Sequence, residues 1–218
     1  MSHELPTPLN AILGYSEFLC DDAKELSSDH QLFATSIHQS AEHLLSLVND
    51  VLDLARIEAG KGRVYPEAID YPQVIDQCVA SVSALSSNKA IEVECSIDAG
   101  LGEGVSDPRL VSQILLNYLS NANKFTPEGG SIRVAASVLG NAEYRIDVSD
   151  TGRGIPATDL EQLFTEFAPL HGSTHVLGGS TGLGLWLTKR IAESMGGVLK
   201  PRASSVPAAR FRSSYRCA

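Results

Sequence analysis

Asn117, Asn121 and Lys124 stand at i, i+4 and i+7 in the segment N-Y-L-S-N-A-N-K-F-T, so on a helix they share one face. An asparagine carbonyl is a neutral oxygen ligand, suited to Mg²⁺ that already carries triphosphate oxygens. A lysine one turn further offers a point charge to phosphate. By itself the spacing also describes an exposed polar helix face.

Two glycine clusters follow, D-T-G-R-G-I at Asp150–Ile155 and G-G-S-T-G-L-G-L at Gly178–Leu185. A carboxylate at Asp150 can accept from an exocyclic amine such as that of adenine, and Gly152 and Gly154 let the backbone approach the ring. In isolation the same residues make a plain strand-to-helix turn. Glycines ahead of a helix N-terminus leave N–H groups for phosphate, although the second cluster alone also reads as a mobile linker. Neither cluster is followed by G-K-[ST], and neither sits in a strand–G-x-G-x-x-G–helix unit. Neither is therefore a Walker loop, and neither makes a convincing dinucleotide fingerprint.

A second chemistry lies at the start, in S-H-E-L-P-T-P-L-N (Ser2–Asn10). A neutral imidazole at His3 can attack a phosphoryl group through one nitrogen if a carboxylate, here Glu4, takes the proton from the other. Thr7 lies four residues on. A lone His-Glu pair is ordinarily a surface accident, so its context must decide.

The elements needed to hold these residues are legible in the apolar pattern. A helix is expected from Pro8 to Cys20, with Leu9, Ile12, Leu13, Ser16 and Leu19 on one face. A second is expected over Asp29–Ala59, with a polar break between them at Asp21–Ser28. The second helix repeats Leu44, Leu45, Leu47, Val48, Val51, Leu52, Leu54, Ala55 and Ile57, a stripe too wide for a lone hairpin. Such a hairpin completes a four-helix bundle with a second copy, so a homodimer is expected.

Gly60-Lys61-Gly62 reads as a helix stop and hinge. Beyond it, strand and helix patterns alternate: helices over Pro72–Ser87, Pro108–Ala122 (with Asp107 as N-cap), Thr158–Leu163 and Leu183–Met195, and strands over Ile91–Ile97, Ser131–Leu139 and Glu143–Ser149. The last two strands form a hairpin through Gly140-Asn141. This is an α+β arrangement, a helical hairpin followed by an α/β sandwich of one mixed sheet with helices on one face. The expected units are residues 1–60, 61–200 and an irregular basic tail over 201–218.

A net charge of −9 argues against a nucleic-acid partner. From Val198 onward there are five basic residues and no acidic one, which reads as a solvated end. No run approaches the roughly 18 apolar residues of a bilayer span, and no secretory leader is visible, so a cytoplasmic chain is expected, either free or as the soluble part of a longer, membrane-attached one. Cys20, Cys78, Cys95 and Cys217 are scattered and read as reduced thiols.

The order of the asparagine helix, the two glycine clusters and the histidine motif resembles the catalytic core of a sensor histidine kinase, over nearly the whole chain. That resemblance implies the ATP-binding fold shared with gyrase B, with ATP and Mg²⁺ as ligands. Asn121 then holds the metal with Asn117 in support, Lys124 contacts phosphate and Asp150 reads adenine. Gly152, Gly154, Thr181, Gly182, Leu183 and Gly184 shape the pocket. Leu163-Phe164-Thr165-Glu166-Phe167 resembles the family's phenylalanine box, leading to a lid over about residues 168–181.

The same resemblance makes His3 the phosphate acceptor, Glu4 its base and Thr7 a residue that orients water for dephosphorylation. It makes the receiver aspartate of a response regulator the next acceptor. Pro6 departs from the arginine usual in this motif, and because the family's acceptor helix extends further upstream of this histidine, Met1 is expected to be an internal methionine of a longer protein. These departures leave a second reading open: a dimeric scaffold or inhibitor of the same fold, disabled in catalysis.

Overall fold

The computed structural model describes residues 6–21, 27–58, 64–139, 143–156, 164–165, 184–202 and 208–214. Two compact units result, one of residues 1–62 with 169–184, the other of residues 63–168 with 185–218.

In the first unit, α1 (Pro6–Asp21) packs against α2 (Ser28–Glu58). Leu9 and Ser16 of α1 and Ala34 and Ala41 of α2 are buried. Small residues on α2 at a spacing of seven let the two helices approach closely. The Ser16 hydroxyl donates to the Leu13 carbonyl and lies 3.1 Å from His38 Nδ1 on α2. Ile12 and Leu19, expected on the same face as Leu9, are exposed, together with Tyr15 and Phe18. The reason is geometric: residues 9, 13 and 16 follow one stripe, and residues 12, 15 and 19 follow a second stripe turned away from α2. Helix α1 is apolar on two sides, and α2 buries only one of them. The hinge expected at Gly60–Gly62 lies outside the described residues.

The second unit is built on a five-stranded mixed sheet in the order β2-β4-β5-β7-β6. Its strands are β2 (Glu92–Ile97), β4 (Ser131–Val138), β5 (Glu143–Asp150), β6 (Val198–Arg202) and β7 (Ala208–Ser214). Only β2 and β4 run parallel; every other pair is antiparallel. Ile132, Val134 and Ala136 of β4 and Ile146 and Val148 of β5 are buried, and register sets Val134 across from Val148 and Ala136 across from Ile146. The alternate residues form a polar face, where Arg133 and Glu94 pair at 2.7 Å and Arg145 and Asp147 pair at 2.7 Å. A second, two-stranded sheet pairs β1 (Glu67–Asp70) with β3 (Glu103–Ser106); neither strand was anticipated, and four residues each carry too little pattern to be seen.

The helices α3 (Tyr71–Ser86) and α4 (Pro108–Phe125) pack on each other, α3 against β2 and α4 against β4 and β5. Both start the same way, with an aspartate N-cap and a proline in the first turn. Asp70 accepts from the Gln73 N–H, and Asp107 accepts from the Leu110 N–H. The last described helix, α5, spans Gly184–Ser194 and buries Leu187, Thr188, Ile191 and Ala192.

The end of the chain corrects the expectation of an irregular tail over 201–218. Residues 208–214 form β7, which lies inside the sheet between β5 and β6. Its sequence, A-A-R-F-R-S-S, alternates, and register puts Phe211 opposite Ile146 and Arg210 opposite Asp147. Basic content concealed a period-two strand. The alternating apolar positions match the buried row of β5, and the arginines match its polar row.

Candidate functional site

Helix α4 turns one face to the core and the other to the site. Val111, Ile114, Leu115, Tyr118, Leu119 and Ala122 are buried, while Asn117 and Asn121 are half-buried beside them. The C-terminal end of α4 is fixed from outside the helix. Lys89 Nζ donates to the carbonyls of Asn123 at 2.8 Å and Lys124 at 3.5 Å, a cation on the negative end of the helix dipole. The Ser86 hydroxyl donates to Asn123 Oδ1 at 3.0 Å.

The two expected asparagines are joined. Asn121 Nδ2 donates to Asn117 Oδ1 at 3.0 Å, and Asn117 Nδ2 donates to the Thr188 hydroxyl on α5. With its nitrogen engaged, Asn121 presents Oδ1, which accepts no hydrogen bond among the described residues.

Asp150 and the first glycine cluster dock against this helix end. Gly152 N–H donates to Asp150 Oδ1 at 2.8 Å, closing a tight turn. A Cβ on Gly152 would stand 2.6 Å from the Phe125 carbonyl oxygen and 2.6 Å from Asp150 Oδ1, so only glycine permits this approach. Gly154 has φ +70°, which also favours glycine. Burial raises the Asp150 pKa, against the opposing pull of the Gly152 N–H. Two cations converge on the ring of Phe125, Lys124 Nζ at 5.6 Å and the Arg153 guanidinium at 4.8 Å from its centroid. Lys124 has a lowered pKa, first from desolvation and then from the nearby Arg153 charge. Among the described residues neither cation is paired with a carboxylate.

The structure therefore brings together Asn117, Asn121, Lys124, Asp150, Gly152 and Gly154. Gly184 is the first residue of α5. Thr181, Gly182 and Leu183 lie outside the described residues, as do His3 and Glu4, the expected acceptor and base, and the expected lid. Thr7 falls in the first turn of α1, its side chain undescribed. Two participants were overlooked from sequence. Arg153, between the two glycines, was given no role from sequence. Thr188 is a hydroxyl in the otherwise apolar row of Leu187, Ile191 and Ala192, and that break in the pattern was the available signal.

Chemically, one amide oxygen, two uncompensated cations and a desolvated carboxylate suit a polyanion with a polar base attached. No cluster of three or more His, Cys, Asp or Glu capable of holding a bare metal ion occurs among the described residues. The single neutral amide oxygen of Asn121 suits a cation already coordinated by phosphate oxygens.

Comparison with known proteins agrees with this geometry. Residues 1–60 match the His Kinase A (phospho-acceptor) domain, and residues 106–214 match the family described as Histidine kinase-, DNA gyrase B-, and HSP90-like ATPase. An uncharacterised sensor-like histidine kinase of Rhizobium meliloti is 39% identical over 94% of this chain and 39% of its own length. The circadian input-output histidine kinase CikA of Synechococcus elongatus is 38% identical over 90% of this chain and 26% of its own length. The chain thus spans well under half of these curated relatives. Among solved structures, full-length ShkA in complex with AMPPNP superposes with a TM-score of 0.77 at 30% identity, covering 100% of this chain and 45% of that one. Acceptor-domain and ATPase-domain matches on one chain, in the order that the motifs run, place it in the histidine kinase family, as the catalytic core of a sensor histidine kinase.

Proposed function

We propose that this chain binds ATP with Mg²⁺, transfers the γ-phosphoryl group to His3, and passes it on to an aspartate of a response regulator. The observation that carries the proposal is the Asn121–Asn117 amide pair on α4, set beside the Asp150–Gly152 turn and the Lys124–Arg153 cations. Asn121 Oδ1 would hold the metal, whose charge screens the phosphate oxygens. Lys124 and Arg153 would face the phosphates, and the Asp150 carboxylate would accept from the adenine amine.

At His3 an N–P bond forms as the bond from the γ-phosphorus to the ADP oxygen breaks, and Glu4 takes the proton from the other ring nitrogen. Such transfer depends on positioning and charge neutralisation more than on covalent work by the protein. Thr7 is assigned to orienting water for dephosphorylation of the regulator. Residues 1–60 are assigned as the acceptor and dimerisation unit, with the ATP-binding unit following the hinge. The core acts on the cytoplasmic side, where ATP is the donor; among the described residues no helix is long and apolar enough to cross a membrane.

The test is incorporation of label from γ-labelled ATP into acid-labile, base-stable phosphate. Label that requires both His3 and Asn121, lost in His3→Gln and in Asn121→Ala, is the expected result. Nucleotide binding without any label would overturn autophosphorylation and leave an ATP-binding scaffold.

A further inference from the structure

We propose that Thr188 is a positioning residue for the cation site, acting through Asn117 to set which end of the Asn121 amide faces the ligand. The inference deepens the function proposed above and rests on Asn121 being the metal ligand.

An amide side chain has nearly the same shape whichever way it is turned, so hydrogen bonds alone fix its orientation. In this site the order runs across two helices. Asn117 Nδ2 donates to Thr188 Oγ1, which places Asn117 Oδ1 toward Asn121. Asn121 Nδ2 donates to that oxygen, which leaves Asn121 Oδ1 for a ligand. Turning the Asn117 amide over would reverse the chain. Its NH₂ would then address Asn121 Oδ1, and the Asn121 nitrogen, a donor that no cation accepts, would occupy the ligand position.

Thr188 is suited to holding one arrangement. It is 2% exposed, in the buried row of α5 with Leu187, Ile191 and Ala192, and a threonine hydroxyl on a helix can give its one proton to the carbonyl a turn earlier, which leaves a fixed oxygen to accept from Asn117. Because α5 begins at Gly184, within the second glycine cluster, the same bond ties the placement of that helix to the amide pair on α4. Partners one step behind a metal ligand typically change metal affinity about 10- to 100-fold when removed.

The experiment is calorimetric titration of the whole chain with the β,γ-imido analogue of ATP, in Mg²⁺ and again in EDTA. The unaltered chain must bind more tightly with Mg²⁺, and Asn121→Ala must lose that gain. Failure of either control overturns the functional reading, and this inference falls with it. Given the gain, Thr188→Val is expected to cut it by about tenfold or more, with affinity in EDTA unchanged, and Thr188→Ser is expected to keep it. A valine variant that retains the gain overturns the role of Thr188. One that weakens binding equally with and without Mg²⁺ also overturns it, because a merely structural defect does that. Thr188→Cys, close in size but a poor acceptor, repeats the test should the valine variant not fold.

Discussion

A carboxylate that is half-buried and partly satisfied is poised for a ligand in a way that an exposed one is not. Asp150 has one oxygen engaged by the Gly152 N–H, its pKa is raised by desolvation, and its other oxygen accepts nothing among the described residues. An amine donor arriving there relieves the desolvation. Asp150→Asn keeps an oxygen for Gly152 and so preserves the turn, but the charge is lost and an NH₂ competes for the ligand position. A hydrogen bond to a charged group is worth about 1.5–3 kcal/mol. Nucleotide affinity is therefore expected to fall at least tenfold by titration, while the melting temperature of the nucleotide-free protein stays near that of the unaltered chain. Melting that collapses along with affinity would make Asp150 a structural residue. The grouping of Asn117, Asn121 and Lys124 with the Asp150–Gly152 turn was legible in advance, because a helical spacing of polar residues and a glycine turn are local patterns. The parts proposed for Thr188 and Arg153 were not, because they arise from the bond between Thr188 and Asn117 and from the Asp150 turn lying against α4, which no local spacing records.

At the scale of elements, α4 is the part that must not move, and Asp107 fixes its start. The carboxylate is buried at the N-terminus of α4. It accepts from Leu110 N–H at 3.2 Å, accepts from Tyr65 N–H at 3.0 Å, and pairs with Arg109 at 3.3 Å. One side chain thus caps the helix and clips the incoming segment to it. Burial pushes its pKa up, but the two N–H groups and Arg109 together outweigh that, and the net shift is down from the ordinary 3.8. A carboxyl with a lowered folded pKa contributes its stability above the unfolded value and loses it as pH falls through the folded one. Asp107→Ala is expected to cost about 2 kcal/mol at neutral pH in urea melts. The gap from the unaltered chain should narrow below about pH 4, where the carboxylate protonates. A gap that is constant with pH would mean that the ionised form is not what matters. Asp107 and Pro108 announced this cap in sequence. By contrast, β7 was hidden because five basic residues near the end suggested solvent, while the alternation that made a strand of A-A-R-F-R-S-S acquires meaning only beside the buried row of β5.

The whole molecule carries an imbalance between its units. The ATP-binding unit buries the apolar rows of β4, β5 and α4 and, among the described residues, exposes large apolar side chains only at scattered positions such as Tyr65 and Leu85, whereas the hairpin leaves Ile12, Tyr15 and Phe18 of α1 and Leu32, Phe33 and Ile37 of α2 exposed. Tyr15 is 72% exposed and Phe18 69% exposed, on helices whose other sides already pack. Large apolar side chains collected on one helix pair mark an interface, and two-fold pairing of identical hairpins into a four-helix bundle covers them most simply. The chain, at 23.2 kDa, is therefore expected to scatter light as a particle of twice that mass. Replacing Tyr15 and Phe18 together by glutamate puts charges at that interface and should halve the measured mass. The proposed nucleotide site draws on α4, α5 and the end of β5, none of which belongs to the hairpin, so the affinity for the imido analogue should not change. A monomeric unaltered chain, or a glutamate variant that stays dimeric, would locate the dimer contact elsewhere. Loss of nucleotide affinity on breaking the dimer would show that the two units are coupled, with the hairpin contributing to the site as well as to assembly.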